Sequence, residues 1–389
     1  MVKAVGSRVK VMLGATAMLA LVLLWAAPPA FGQPLVSSDQ IVDLSDTETT
    51  DADLKKLAPS VQDLTLDDTK ITDRGMKELA RLTGLQTLSL ARTQITDSAL
   101  TDLRALPRLE SIDLQGTKVT DQGVRELRRF AHLKELALDQ TEVTDQGLMD
   151  VKEMIGLQSL DLGYCRITDA GLKHLHALKR LQGLHLSSTQ ITDRGLTDLL
   201  AELPGLHTLD LRGTKISDAG LKAISRCRSL AWLDISKTAI SSEGINELKN
   251  LNDLVSLYLD ETAIDDAALG RIGDMAKLES LYVRKTKITD TGCEQLKRCP
   301  KLNALDASET SISDEGVRHL LDIPNLEALT LRNTRITDAA FSDMAHLGKL
   351  KVLDVWGTSV TAAKASDLIK AGIQTRFGSV PRTSVPPKE

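Results

Sequence analysis

The chain has 389 residues, of which 42% are hydrophobic, 26% are charged and only 3% are aromatic. This apolar content excludes a disordered chain, while 25 Gly and four Cys exclude a collagen-like protein and a disulfide-dense scaffold. A net charge of −5 does not suggest the positively charged surface that nucleic-acid binding requires. Aromatic side chains usually fill much of an enzyme core. Their scarcity here indicates a core built from repeated aliphatic side chains of similar size.

Residues 1–32 have the pattern of a secretory signal peptide. Three positive residues precede an uncharged apolar stretch at 11–27, and the small residues Ala30 and Gly32 precede a cut at Gln33. The alternative is an uncleaved anchor, although a membrane span needs roughly 20 apolar residues. Cleavage leaves 45 basic and 53 acidic residues, a net charge of −8. We expect an acidic mature protein, secreted or periplasmic in a bacterium, without a stable membrane anchor.

The rest of the chain is an internal repeat. The segment Leu88-Ser-Leu-Ala-Arg-Thr93-Gln-Ile-Thr-Asp97 recurs as Leu209-Asp-Leu-Arg-Gly-Thr214-Lys-Ile-Ser-Asp218, and fourteen copies align on one anchor position. Eleven of the thirteen spacings between anchors are 24 residues, so the period is highly specific. The anchors are Thr47, Thr69, Thr93, Thr117, Thr141, Cys165, Thr189, Thr214, Thr238, Thr262, Thr286, Thr310, Thr334 and Thr358.

Each copy has a strand half and a helix half. The consensus L-x-x-L-x-L-x-x-T-x-I-T-D-x-G-L-x-x-L-x-x-L alternates apolar and polar residues before the anchor, which predicts a short strand. After the anchor it spaces apolar residues by three, which predicts a short helix. Asp precedes the helix in twelve copies, and we expect a carboxylate such as that of Asp97 to cap it. The anchor Thr side chains are expected to pass hydrogen bonds along the stacked turns.

One copy cannot bury both halves, so neighbouring copies must stack. We predict an α/β solenoid of about fourteen repeats, a curved horseshoe with parallel strands on the concave face and short helices on the convex face. The chain resembles leucine-rich repeat proteins, and its I-T-D-x-G-L half resembles bacterial extracytoplasmic repeats and the F-box-associated and GALA-type repeats. It departs from the common pattern in having Thr where many families have Asn. The resemblance implies recognition of a protein or peptide on the concave face.

The repeat also predicts the domain limits. After the signal peptide we expect a short linker at 33–40, a leucine-rich repeat domain at 41–377, and a disordered, Pro-containing tail at 378–389. Residues 373–377 are expected to add one closing strand.

The four Cys occupy repeat positions that should be buried. Cys227 and Cys299 lie three repeats apart, which is beyond disulfide reach, and Cys293 takes a Leu position. We predict free core thiols, with a Cys293–Cys299 pair as the remaining alternative. The sequence contains no metal-binding, nucleotide-binding or hydrolase motif, so no cofactor and no metal are expected.

Chemistry other than packing is concentrated on the predicted concave face. Because strand side chains alternate, the residues two, four and six positions before each anchor should project from this face. Seven of the fourteen middle positions are Asp, and every Trp and Tyr after residue 32 falls on these positions or beside them. Trp, Tyr and Arg are enriched at binding hot spots. The candidate partner-binding residues are Trp232, Asp234, Tyr258, Tyr282, Arg284, Asp210, Arg212, His185 and Trp356.

Two other interpretations of this face are open. Large rings are tolerated wherever a surface is roomy, and Asp can simply keep a strand face solvated. Asp210 and Asp234 also lie in adjacent repeats, about 5 Å apart by strand spacing, which resembles the carboxylate pair of a retaining glycosidase. An open face has no desolvated pocket to shift the pKa of such groups, so we do not expect an enzyme.

The sequence therefore predicts a non-enzymatic, monomeric scaffold that binds a protein or peptide of unknown identity and no nucleic acid. One alternative is the substrate-recognition part of an exported ubiquitin-ligase-like effector, which would need an F-box where only residues 33–40 precede the repeats. The other is a purely structural envelope protein.

Overall fold

The computed structural model describes residues 35–38, 40–342 and 348–378. The predicted signal peptide at 1–32 and all but the first residue of the predicted tail lie outside this part of the chain. Among the residues described, the chain divides into unit 1, which ends at Leu230, and unit 2, which begins at Ala231. No helix in the described ranges is long and apolar enough to cross a membrane.

Unit 1 alternates short strands and short helices. Its strands are β1 (Leu35–Ser38), β2 (Ile41–Asp43), β3 (Asp63–Thr65), β4 (Thr87–Ser89), β5 (Ser111–Asp113), β6 (Glu135–Ala137), β7 (Ser159–Asp161), β8 (Gly183–His185) and β9 (Thr208–Asp210). From β2 to β9 each strand pairs in parallel with the next, and each repeat position lies opposite itself, as Leu64 lies opposite Leu88. Strand β1, within the segment expected to be a linker, pairs antiparallel with β2.

The helices of unit 1 are short because each occupies only half a repeat. They are α1 (Met76–Leu79), α2 (Asp97–Asp102), α3 (Asp121–Leu127), α4 (Asp145–Val151), α5 (Asp169–Leu172), α6 (Asp193–Glu202) and α7 (Asp218–Ile224). Segments of 3₁₀ helix replace or extend them at Asp53–Lys56, Asp73–Gly75, Leu103–Ala105 and Lys173–Ala177. Successive helices pack on one another in sequence order.

Unit 2 is built in the same way. Its strands are β10 (Trp232–Asp234), β11 (Ser256–Tyr258), β12 (Ser280–Tyr282), β13 (Ala304–Asp306), β14 (Ala328–Thr330), β15 (Val352–Asp354) and β16 (Gln374–Arg376), all paired in parallel with the next. Its helices are α8 (Asp266–Ile272), α9 (Asp290–Cys293), α10 (Asp314–Leu321) and α11 (Ala362–Lys370), with 3₁₀ helix at Gly244–Asn250, Glu294–Arg298 and Asp338–Phe341. Strand β16 is the predicted closing strand. The α/β repeat solenoid predicted from the sequence is confirmed.

The core consists of the repeated aliphatic positions, as expected. From the second repeat onward, the residues that alternate with the strand-face positions are buried, as Leu257 and Leu259 are on either side of Tyr258. All four Cys are buried and free, so the predicted core thiols are confirmed and Cys293 does not pair with Cys299.

A tight turn joins each strand to its anchor. The residue before the anchor takes a left-handed backbone conformation in all fourteen copies, and it is Gly in only three of them, Gly116, Gly213 and Gly357. The anchor hydroxyl closes this turn within its own repeat: Thr93 Oγ1 donates to the Leu90 carbonyl at 2.6 Å. The expected hydrogen bond between anchors of neighbouring repeats occurs at Cys165, whose Sγ lies 3.5 Å from Thr141 Oγ1 and donates to the Leu138 carbonyl of the preceding repeat at 3.0 Å.

The repeated Asp does not cap its own helix, so that prediction is also wrong. The cap of α2 is Thr96, whose hydroxyl accepts the Ser98 amide. Asp97 is the first residue of the helix, and its carboxylate accepts the amide and the hydroxyl of Thr120 in the next repeat, at 2.8 and 2.7 Å. The Asp therefore joins neighbouring repeats, while the residue before it caps the helix.

Candidate binding surface

The strand face is the set of residues two, four and six positions before each anchor. In unit 2 it carries three aromatic side chains on neighbouring strands, Trp232, Tyr258 and Tyr282, which we call the aromatic row. The Tyr258 and Tyr282 rings are stacked, with centroids 4.1 Å apart and planes 7° apart. Trp232 lies against Tyr258 at 5.1 Å with a 48° tilt.

The stacking follows from the strand register. Tyr258 lies directly opposite Tyr282 in the parallel pairing of β11 with β12. Parallel strands lie about 4.8 Å apart, so identical side chains at one repeat position are held at near-stacking distance. The ring faces are consequently turned toward neighbouring strands.

The aromatic row is half-buried. Burial raises the pKa of both Tyr258 and Tyr282, which keeps the phenols protonated and able to donate hydrogen bonds. A surface of ring edges with hydroxyl groups is suited to contact with another molecule, because it combines apolar area with polar atoms.

Two charged residues predicted to accompany the aromatic row have other roles. Asp234 is 6% exposed, and its carboxylate accepts the amide of Ser236 at 2.8 Å. Arg284 is exposed, and its guanidinium pairs with Glu309 at 2.6 Å. The structure therefore brings the three rings together, with Asp234 beneath the surface and Arg284 already paired at its margin.

Three of the predicted residues belong to unit 1. His185 lies between Asp161 and Asp210 in the strand register, with its Nδ1 4.0 Å from Asp210 Oδ2. Burial alone would lower the pKa of His185, but the interactions with the carboxylates of Asp210 and Asp161 outweigh burial, and the net shift is upward. Arg212 is exposed, and its amide donates to Asp210 at 2.9 Å.

Trp356 lies two residues before Thr358, the last anchor of unit 2. The Arg376 guanidinium carbon is 5.9 Å from the centroid of its ring. A β-carbon at Gly378 would collide with the same ring. Trp356 is therefore half-covered by the end of the described chain, unlike the aromatic row.

The Asp of the middle strand-face position has a structural role that the repeat pattern does not predict. In each of the seven cases one carboxylate oxygen accepts the amide of the residue two positions later. Where the Asp is absent, a side chain of the preceding repeat can replace it, as Asp67 does for the Ala91 amide. The seven residues are Asp43, Asp113, Asp161, Asp210, Asp234, Asp306 and Asp354.

Some carboxylates on the open face have strongly shifted pKa values, contrary to expectation. Burial, assisted by the charges of Asp67 and Asp139, raises the pKa of Asp113 to about 6. Burial and the charge of Asp161 raise the pKa of Asp139 to about 6. In-register neighbours about 4.8 Å away desolvate these short side chains even without a pocket. Within the described part of the chain, no group of three or more His, Cys, Asp or Glu is placed to hold a metal ion.

A family model described as a leucine-rich repeat region matches residues 143–368 of this chain, which is more than half of its 389 residues. A search of curated proteins finds no match.

Among solved structures, the chain is similar to an internalin (InlF) from Listeria monocytogenes, with 23% identity and a TM-score of 0.54 over 71% of this chain and 81% of that one. It is also similar to the functional domain of InlJ from Listeria monocytogenes, with 19% identity and a TM-score of 0.52 over 83% of this chain and 68% of that one. At these identities the likeness concerns the fold alone.

Proposed function

This chain belongs to the leucine-rich repeat family, and from that premise we propose that it is a non-enzymatic scaffold that binds a protein or peptide partner through its strand face. The partner-binding residues in this proposal are the aromatic row with Arg284 at its margin. Fold alone does not assign a function, so the proposal depends on the chemistry of this surface.

The observation that carries the proposal is the placement of the rings. Trp and Tyr are rare in the chain, with three of each in 389 residues. Trp232, Tyr258 and Tyr282 nevertheless occur together on three successive strands, where the fold itself needs no ring because Ser, Ala or Asp occupy the same positions in other repeats. Residues of these types supply most of the binding energy at protein interfaces.

We further propose that the protein acts outside the cytoplasm as a monomer and is of the bacterial extracytoplasmic type with 24-residue repeats. The signal-peptide pattern of residues 1–32 and the regular spacing of the anchors support this proposal. One repeat domain would then extend from residue 41 to 377, followed by a short tail. N-terminal sequencing of the exported protein tests this part, since Met1 in place of Gln33 would contradict it.

Affinity capture from the exported fraction of the producing cells tests partner binding. The bait is the full chain, compared with a variant that carries Trp232→Ala, Tyr258→Ala and Tyr282→Ala. A matched control carries Met149→Ala and Ile155→Ala, which remove exposed apolar side chains on and just after helix α4. We expect the partner to be retained by the wild type and the control and lost from the triple variant, with circular dichroism showing that all three are folded. Equal retention by all three proteins contradicts the proposal.

A further inference from the structure

The aromatic row ends at Tyr282, and the two faces of this ring differ. One face is covered by Tyr258 at 4.1 Å. The other is turned toward β13, where Asp306 lies directly opposite Tyr282 in the strand register. The residues at the same repeat position on the next two strands are Thr330 and Asp354. All three side chains are shorter than Tyr, so the outer part of this ring face rises above them as a step.

The carboxylate of Asp306 at the foot of this step lacks a counter-ion. Its Oδ1 accepts the amide and the hydroxyl of Ser308 at 2.9 and 2.6 Å, and this orients the group. The two nearby guanidinium groups are engaged elsewhere: Arg332 pairs with Asp354 at 2.6 Å, and Arg284 pairs with Glu309. No ion pair to Asp306 occurs among residues 231–342 and 348–378.

The ring face of Tyr282 and the carboxylate of Asp306 both attract cations. The face of an aromatic ring carries negative partial charge, so it attracts cations. Burial raises the pKa of Asp306, and the hydrogen bonds from Ser308 and the charges of Arg332 and Arg284, which act to lower it, do not fully compensate. A cation placed between them would interact favourably with both.

We propose that the partner presents an Arg or Lys side chain whose cationic group docks between the free face of Tyr282 and the carboxylate of Asp306. This inference rests on the proposed function, because it names the chemistry that the strand face recognises in its partner. An acidic group at this position would meet Asp306 and Asp354. A purely apolar group would cover Asp306 without neutralising it, which is unfavourable.

The test uses the full chain labelled with ¹³C-tyrosine. The protein has three Tyr, so its ring signals can be assigned by single substitutions, and Tyr164, which is 56% exposed in unit 1, serves as an internal control. The probe is N-acetyl-arginine methylamide, and its citrulline analogue is the neutral control of the same shape. We expect the arginine probe to shift the Tyr282 signals saturably, and the citrulline probe to leave them unchanged.

Three variants separate the two halves of the site. Asp306→Asn keeps an oxygen that can accept from Ser308, so the fold should persist while affinity for the arginine probe falls about tenfold or more. Tyr282→Leu should abolish binding, whereas Tyr282→Phe, which keeps the ring face, should retain it, both being read at Tyr258. Equal shifts with the two probes, equal shifts at Tyr164, or unchanged affinity in Asp306→Asn would overturn the proposal.

The probe experiment and the partner capture can fail independently, so failure of this inference is distinguishable from failure of the proposed function. If the triple variant of the aromatic row loses its partner while the arginine probe does not discriminate, the proposed function stands and this inference falls. If the probe binds at Tyr282 through Asp306 while the triple variant retains the partner as well as the wild type does, the cation site stands and the proposed function falls.

Discussion

The carboxylate of Asp121 in one repeat accepts two hydrogen bonds from Thr144 in the next, at 2.8 Å from its amide nitrogen and 2.7 Å from its hydroxyl. The same carboxylate also accepts the Gly147 amide at 3.0 Å. This contact is repeated in both units and holds neighbouring repeats together at the helix N-terminus. Equivalent pairs are Asp51–Thr72, Asp73–Thr96, Asp97–Thr120, Asp145–Thr168, Asp169–Thr192, Asp193–Ser217, Asp266–Thr289, Asp290–Ser313, Asp314–Thr337 and Asp338–Thr361.

Asp121→Ala should therefore destabilise the protein. The substitution leaves three donors without their acceptor, and each partly buried donor that loses its partner costs about 1 kcal/mol or more. We expect the free energy of unfolding to fall by about 2–4 kcal/mol in a urea titration. Asp198→Ala, at an exposed position of helix α6, is the control and should change little. An Asp121→Ala variant as stable as the control would show that the contact contributes nothing.

Gly147→Ala tests why Gly follows two residues after the repeated Asp. A β-carbon at Gly147 would lie 2.6 Å from Oδ1 of Asp121, too close for both atoms to keep their places. We expect a loss of about 1–3 kcal/mol in unfolding free energy, whereas Gly205→Ala, with nothing within 4 Å of the added carbon, should be neutral or slightly stabilising. In an Asp121→Ala background Gly147→Ala should cost less, and a strictly additive double variant would refute the steric explanation.

The periodic features were predictable from the sequence, whereas the contacts between repeats were not. Alternation places Leu257 and Leu259 in the core and Tyr258 on the strand face, because that pattern is local to one strand. The role of Asp97 depends on Thr120, 23 residues away, which becomes its neighbour only when repeats stack. Proximity along the chain suggests that Asp97 caps the helix it precedes, whereas the cap is Thr96 and the partner of Asp97 lies in the next repeat.

For the candidate binding surface, too, the periodic features were predictable from the sequence and the side-chain contacts were not. The register of the anchors places Tyr258 opposite Tyr282, so their proximity follows from the period. The pairing of Arg284 with Glu309 and the burial of Asp234 depend on side-chain lengths and rotamers, which no period specifies. The shifted pKa of Asp113 likewise arises from desolvation by in-register neighbours.

Asp113 should make the protein less stable at neutral pH than at mildly acidic pH. Its pKa is raised from 3.8 to about 6 in the folded state, mainly by burial, so the folded chain holds this proton more tightly than the unfolded chain. The associated stability is fully present below about pH 3.8 and is lost as the pH rises from there through about 6.

Asp113→Asn, which keeps an acceptor for the Gln115 amide, should raise the unfolding free energy by about 1–3 kcal/mol at pH 7.5 and by clearly less at pH 4.5. Urea titrations at both pH values measure the difference, with Asp198→Asn as the exposed control. The assignment is wrong if the wild type and Asp113→Asn show the same dependence of stability on pH between 5 and 7.

Ser188 should be replaceable by Gly but not by a β-branched residue. It occupies the left-handed position of its turn, with a φ of 54°, a conformation that is costly for any residue with a β-carbon and most costly when that carbon is branched. We expect Ser188→Val to lower the unfolding free energy by about 1–2 kcal/mol and Ser188→Gly to leave it unchanged or raise it by up to about 1 kcal/mol. Gln190→Val, two residues further on and exposed, lies outside the left-handed positions and should be tolerated. Thermal unfolding of the three variants measures these differences in stability. Equal losses of stability in Ser188→Val and Gln190→Val would indicate a general intolerance of Val in this turn and not backbone strain at Ser188.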